Sequence, residues 1–215
     1  METNHFSASE LVKCSAAQIK WNKQEKQKAL NQGLQLPVKA PSERMIRGNE
    51  WASSRIKSPY VEMGGPFRHT HSTIWFSMDE VRVTPKTYKF IEHKMVETNP
   101  EEWFFYSSVI QTAFYGAMLG TMESIKTAKF YKGEHHQLYI ADKKHVVQLH
   151  FGEDVYNIKF DSVQVIRFFL TKAKAIQSDW ATAKQFDVSW KKKEWEWFVN
   201  YVTYKKVNRV SSRRD

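Results

Sequence analysis

The sequence predicts an α+β protein in which antiparallel β-sheet packs against helices. Three observations predict it: four short β-patterned runs between residues 128 and 160, an amphipathic helix pattern directly after them, and an uncharged helical stretch over 103–122. The runs 128–132, 136–141, 145–151 and 155–160 are rich in β-branched and aromatic residues. The turns between them, Lys132-Gly133-Glu134, Asp142-Lys143-Lys144 and Phe151-Gly152-Glu153-Asp154, are too short for a crossover. Successive strands are therefore expected to pair antiparallel.

Alternation sorts the two faces of this ββββα unit at 128–176. Leu138, Ile140, Val147, Leu149, Phe151, Tyr156, Ile158 and Phe160 fall on one side. Gln137, Tyr139, Gln148, His150, Asn157 and Lys159 fall on the other, which is polar and partly basic. Asp161 or Ser162 can cap the following helix, with Gln164 at capping-box spacing from Asp161. Val163, Ile166, Phe169, Leu170, Ala173 and Ile176 recur at helical period. That stripe is expected to cover the apolar side of the sheet, leaving the polar side open to a ligand.

Residues 1–45 read as a basic helical N-terminal arm and linker. Ser9 can cap a helix through Leu11, Val12, Ala16, Ile19 and Lys20, with Lys23, Lys26 and Lys28 in its later turns, and Gly33, Pro37 and Pro41 break it. Residues 46–206 read as a single α+β domain. Its first part holds candidate strands at 54–63, 71–78 and 81–91, with Pro59 and Pro85 implying edges or bulges. The run Gly64-Gly65-Pro66-Phe67-Arg68-His69-Thr70 is expected to be a flexible loop, either an ordinary hairpin loop or one closing over a ligand.

Asn99-Pro100-Glu101-Glu102 is a strong helix start and opens a long central helix over 100–122. The span is long enough for a bilayer, but Ser107, Ser108, Gln111 and Thr112 would be poorly satisfied in hydrocarbon. The helix is expected to lie buried against sheet or a partner subunit, with Gly116 and Gly120 allowing close backbone approach. Toward the C-terminus, Ser178 or Asp179 can start a short helix to about Gln185, and Ser189 can cap a longer one through Lys206. In the latter Trp190, Trp197, Tyr201 and Tyr204 recur near one face, and residues 207–215 read as a disordered basic tail.

Composition narrows the function. Hydrophobic content of 41% and charged content of 26% exclude a disordered chain. A net charge of +10 and a pI of about 9.5 point to a polyanionic partner, and 14% aromatic residues supply rings that can stack on bases. Cys14 stands alone, which excludes an internal disulfide and a Cys-rich zinc ribbon. Residues 1–10 lack the basic start and apolar run of a signal peptide, so the cytoplasm, of a cell or of a virus's host, is the expected location.

The order of four strands and a helix, and in particular Val155-Tyr-Asn-Ile-Lys-Phe-Asp-Ser-Val-Gln-Val-Ile-Arg-Phe168, resembles the single-stranded DNA-binding domain of the positive-cofactor-four and Whirly group. The resemblance covers residues 128–176. It implies a dimer or higher oligomer formed through the helix, with nucleic acid crossing the open sheet face. The lysine-glycine-lysine-alanine-rich motif of the plant members is absent.

Among eight histidines, His69-Thr70-His71 would place two imidazoles on one side of a strand, yet no companion acids show the spacing of a recognised zinc or di-metal site. His71-Ser72-Thr73-Ile74 loosely matches the repeat of two-histidine phosphoesterases, but His136-Gln137-Leu138 and His145-Val146-Val147 both lack the hydroxyl of a second copy. There is no phosphate loop or nucleophile elbow. The expected function is therefore non-catalytic binding of single-stranded DNA or RNA by a homo-oligomer, with no cofactor, no metal and no membrane. Its expected contacts are Lys129, Tyr131, Lys132, Tyr139, Lys143, Lys144, His150 and Lys159, with Lys191, Lys192 and Lys193 as an outlying clamp. A phosphoesterase using His71 and a structural or assembly protein are the rival expectations.

Overall fold

A computed structural model describes residues 4–35, 40–70, 72–96, 100–121, 124–129, 135–139, 143–191 and 194–207. The elements are, in order, β1 (Asn4–Ser7), α1 (Ala8–Lys13), α2 (Ala16–Asn31), α3 (Glu43–Arg55), β2 (Tyr60–His69), β3 (Ser72–Val83), β4 (Thr87–Lys94), α4 (Glu102–Gly120), β5 (Ser124–Lys129) and β6 (His135–Tyr139). They continue with β7 (Lys144–Phe151), β8 (Asp154–Phe160), α5 (Ser162–Gln177), α6 (Trp180–Lys191), α7 (Glu194–Tyr201) and β9 (Val202–Lys206). The protein is α+β, with its sheet packed against helices.

Helix α4, uncharged after Glu102, is the centre of the molecule. Residues of α4 from Val109 to Leu119 are buried on nearly every side, because strands β3, β4, β7, β8 and β9 lie on one flank and α1 and α5 on the other. Enclosure explains why the helix has no polar face. Its hydroxyls turn back on the helix itself: Ser108 Oγ donates to Phe104 O at 2.7 Å and Thr112 Oγ1 to Ser108 O at 2.7 Å. Gly116 permits the expected close approach, since a Cβ there would stand 2.7 Å from Val147 Cγ2 and 2.8 Å from Phe160 Cζ. Gly120 faces open space and has no such role. No helix among the described residues is long and apolar enough to cross a membrane.

Among the described residues the strands form one mixed sheet in the order β6-β5-β2-β3-β4-β7-β8-β9, with β1 added parallel to β3. The expected antiparallel succession of four strands is not formed. β5 and β6 pair at one edge, whereas β7 lies beside β4 and parallel to it, with Thr87 opposite Lys144 and Lys94 opposite Phe151. A short connection limits distance but does not oblige its two strands to pair. The edge of β4 is reached by way of α4, the kind of crossover a parallel pair requires. The strand order that carries the resemblance to the Whirly group is therefore absent, although β7 and β8 do pair antiparallel and alternate as expected. Val147, Leu149, Phe151 and Ile158 are buried, while Gln148 Nε2 donates to Asn157 Oδ1 at 2.8 Å on the opposite face.

Helix α5 starts where expected, Asp161 accepting from the Gln164 N–H at 3.1 Å. Its buried face, however, is Val165, Phe168, Phe169, Lys172, Ala173 and Ile176, and Val163 is exposed. The helix packs on α4, with the rings of Phe114 and Phe169 stacked at 3.9 Å, rather than on the sheet. Two apolar stripes on one helix merge into a single periodic pattern in the sequence.

The N-terminal segment is not an arm. Phe6, Ala8, Leu11, Ala16 and Ile19 are core residues, and α2 is fastened at its N-terminus by Asp187, which accepts from the Ala16 and Ala17 N–H groups at 2.7 and 2.9 Å. Residues 43–55, expected to begin a β-rich region, form α3 with Ser42 as its cap. The expected loop Gly64–Thr70 is for the most part strand β2, paired with β3 from His69–Ser72 to Tyr60–Val81. Near the C-terminus, α6 runs through the expected cap Ser189, and residues 202–206 form a strand on β8 instead of the end of a helix. The expected disordered tail lies outside the described residues beyond Val207.

Candidate active site at the fork of two strands

Strand β3 has β2 along one edge. Its other edge is shared: β1 pairs with Ser72–Trp75 and β4 with Glu80–Val83. Between these segments the ladder is open, and Asp79 stands at its lower lip. One step beyond the Glu80–Ile91 pair, β4 carries Glu92, His93 and Lys94 into the same opening. The Asp79 side chain takes the place of a ladder bond there, its Oδ2 accepting from the His93 N–H at 2.7 Å.

The strand pleat puts Glu92 and Lys94 on one face and His93 on the other. On the α4 side, Glu92 Oε1 accepts from Lys94 Nζ at 2.5 Å and from Gln111 Nε2 at 3.0 Å. Gln111 Nε2 also donates to the Tyr115 hydroxyl at 2.9 Å. On the other side, His93 Nε2 lies 3.0 Å from Glu80 Oε2, and Arg82 closes both oxygens of Glu80 at 2.8 Å. The His93 ring meets His150 edge-on at 4.8 Å and Trp51 of α3 at 6.4 Å.

Charge in this opening is unevenly neutralised. Glu80 is saturated: burial would raise its pKa, but bonds from His93, Arg82 and the Lys57 N–H outweigh it and hold the carboxyl down at about 2. Asp79 is the reverse case, pushed up to about 7 by burial and then by the charge of Glu92. Burial lowers Lys94, but Glu92 and Asp79 more than restore it. Lys13, at the end of α1, is lowered by burial and then by the charge of Lys94. Burial and then Glu92 push the Tyr115 phenol upward, so it stays protonated.

The opening is rich in acceptors. Glu92 Oε2 and Gln111 Oε1 are buried without a hydrogen-bond donor among the described residues, as is His93 Nδ1. An acceptor-only oxygen beside two crowded carboxylates suits a hard divalent cation. Among the described residues no three His, Cys, Asp or Glu side chains gather into a ready-made cage. Mg²⁺ does not need one, since it is commonly held by one or two carboxylates with water and substrate phosphate completing its shell.

The residues expected to contact nucleic acid do not assemble into one platform. Lys129 and Tyr139 lie in β5 and β6, at the far edge of the sheet from Lys144 and Lys159. Lys191 ends α6, a helix that packs on α2 and α5. Tyr131, Lys132, Lys192 and Lys193, and the rival candidate His71, lie outside the described residues. Lys143 sits over the Tyr88 ring at 4.8 Å, and His150 is half-buried against His93. What does assemble is a smaller basic face. Lys159 and Lys205 are exposed, and strand register places them on the side of the sheet that also carries Lys89 and Lys144. The rings of Tyr156 and Tyr204 are turned the other way, against Phe105.

Asp79, Glu92, Lys94 and Gln111 were missed by sequence reasoning. A signal existed: Glu92-His93-Lys94 interrupts an otherwise apolar strand pattern with an acid and a lysine two apart, and Gln111 and Tyr115 are one helical turn apart in a helix without charge.

Comparison of the chain with protein-family models, with curated proteins and with solved structures finds no match.

Proposed function

We propose that this protein is a divalent-cation-dependent nuclease, cleaving phosphodiester bonds at the β3–β4 fork, rather than the binder without chemistry that the sequence led us to expect. The observation that carries the proposal is the Asp79 carboxylate held on the His93 N–H where the ladder opens, next to Glu92, which carries Lys94 on one oxygen and leaves the other unpartnered. Burial first, and the charge of Glu92 second, disfavour the ionisation of Asp79 beside that carboxylate. A bound cation offsets that charge.

Asp79 and Glu92 would hold the cation, Mg²⁺ or Mn²⁺, which supplies an acidified water and a Lewis acid for the phosphoryl oxygen. Lys94 is anchored by Glu92 and carries the positive charge that orients an attacking water and stabilises charge gathering on the phosphate. Gln111 fixes Glu92 from α4, and Tyr115 holds Gln111. A net charge of +10 and the exposed lysines of the sheet favour a polymeric phosphodiester over a small one.

The test is incubation of the purified protein with end-labelled single- and double-stranded oligonucleotides and Mg²⁺ or Mn²⁺. Cleavage that EDTA abolishes, and that Asp79→Asn, Glu92→Gln and Lys94→Met each reduce by at least a hundredfold while the fold persists by circular dichroism, is the expected outcome on the scale of losing one transition-state interaction, about 10²–10³-fold. Undiminished cleavage by the Glu92→Gln variant would refute the assignment. Non-catalytic binding remains the second reading, favoured by the exposed face of Lys144, Lys159 and Lys205; oligonucleotide affinity without any cleavage is its signature.

A further inference from the structure

The open segment of β3 carries more than Asp79. Its residues alternate strictly in burial from Ile74 to Met78, with Ile74, Phe76 and Met78 in the core and Trp75 and Ser77 exposed. The alternation ends at Asp79, which is half-buried and whose carboxylate is taken up by the His93 N–H of β4. Trp75 is 50% exposed although it lies mid-strand, flanked by β2 through Pro66 and by β1 through Ser7. Large rings in such positions are ordinarily covered, and nothing among the described residues covers this one.

The ring is nevertheless held. Trp75 Nε1 donates to His5 Nδ1 at 3.4 Å, and the His5 carbonyl accepts in turn from Lys23 Nζ at 2.6 Å. Asp79 lies four steps along the strand from Trp75, a distance of about 13 Å. That is a few nucleotides of an extended chain. Ser77, small and exposed, lies between them, and the exposed Arg68 stands opposite Thr73 just beyond Trp75.

We infer that Trp75 is a base-stacking residue, receiving a base of a single strand whose scissile phosphate lies at the β3–β4 fork. The inference rests on the nuclease reading and adds to it the form of the substrate. Stacking requires a base with a free face, which a duplex does not offer without fraying; a flat ring reads no sequence. Ser77 leaves room for the backbone between ring and fork, and Arg68 lies where a phosphate beyond the stacked base would pass.

Two measurements separate this inference from the reading beneath it. The first is fluorescence anisotropy of a labelled single-stranded oligonucleotide in Ca²⁺, comparing wild type, Trp75→Ala and Trp75→Phe. Trp75→Ala is expected to weaken binding by roughly five- to a hundredfold, Trp75→Phe to recover most of it, and blunt duplex to bind more weakly than the single strand. The second is Mg²⁺-dependent hydrolysis of bis(p-nitrophenyl) phosphate, too small to span the two positions, on which the Trp75 variants are expected to match wild type. Unchanged oligonucleotide affinity in Trp75→Ala, or equal affinity of wild type for duplex, overturns the stacking role even if cleavage is found. Absence of hydrolysis of any phosphodiester overturns the nuclease reading, while the anisotropy series still decides the role of Trp75.

Discussion

Gln111, in the middle of the buried helix, donates its amide to Glu92 on the neighbouring strand at 3.0 Å. This bond ties the core of the molecule to the fork, because the same amide also reaches Tyr115 and the same carboxylate holds Lys94. Replacing Gln111 by Leu keeps the volume and removes the donor. Glu92 is then a buried carboxylate with one bond fewer, a loss of about 1–3 kcal/mol. Chemical denaturation of the cation-free protein is expected to show it. Saturating Mg²⁺ should recover part of the loss, since a cation on the free Oε2 neutralises the same carboxylate.

The two acids flanking the strand crossing have opposite pH signatures. Asp79 is raised to about 7, so the folded state holds a proton there that the unfolded chain releases near its ordinary carboxylate value, and stability falls as pH rises between roughly 4 and 7. Glu80 is lowered to about 2, and its contribution is complete above the ordinary carboxylate value and fades only as pH falls toward 2. Thermal melts without divalent cation are therefore expected to give a Tm that declines from pH 5 to pH 8 more in wild type than in Asp79→Asn. Mg²⁺ should raise the wild-type Tm more at pH 8 than at pH 6, because it binds the ionised pair. Equal pH slopes for the two proteins would remove Asp79 as the source.

Gly116 is the point at which α4 meets the sheet. A Cβ added there runs into Val147 and Phe160 at under 3 Å, and both neighbours are themselves packed into the core. In an open helix Gly→Ala would stabilise by up to about 1 kcal/mol. Here overpacking opposes that gain with about 1–3 kcal/mol, so Gly116→Ala is expected to be neutral to destabilising and Gly116→Val clearly destabilising. Gly120→Ala, facing open space, is the control and should stabilise. Urea midpoints of the three variants check the order.

Much of the fold was legible because local chemistry and tertiary structure agree. Asp161 does cap α5, Val147, Leu149 and Ile158 do face inward, and the uncharged helix is central because only enclosure tolerates such a sequence. Pairing was not legible, since nothing local in β7 distinguishes β6 from β4 as its neighbour. The site lay beyond the same limit. Asp79 and Glu92 meet only because β3 exchanges β4 for β1 along one edge, a fact of register that periodicity does not carry. The lysines and histidines of residues 129–159 are far more conspicuous in the sequence, yet their positions are divided between opposite ends of the sheet.

The remaining lysine face gives the last prediction. Lys159 pairs across β8 and β9 with Thr203, Asn157 with Lys205, and Lys144 stands beside them at the start of β7. The three ammonium groups are exposed and their side of β8–β9 presents no aromatic ring, Tyr156 and Tyr204 being engaged with Phe105. Such a face neutralises phosphates without reading bases, and counterion release makes its contribution fall with salt. Reversing Lys144, Lys159 and Lys205 together to Glu is expected to weaken oligonucleotide binding at low salt. It should also flatten the plot of log affinity against log salt by about one unit for each phosphate that is no longer neutralised. Hydrolysis of bis(p-nitrophenyl) phosphate should be unaffected, because none of the three reaches Asp79 or Glu92. An unchanged salt slope would show that nucleic acid takes another path over the protein, past Trp75 and Arg68 on β3 and β2.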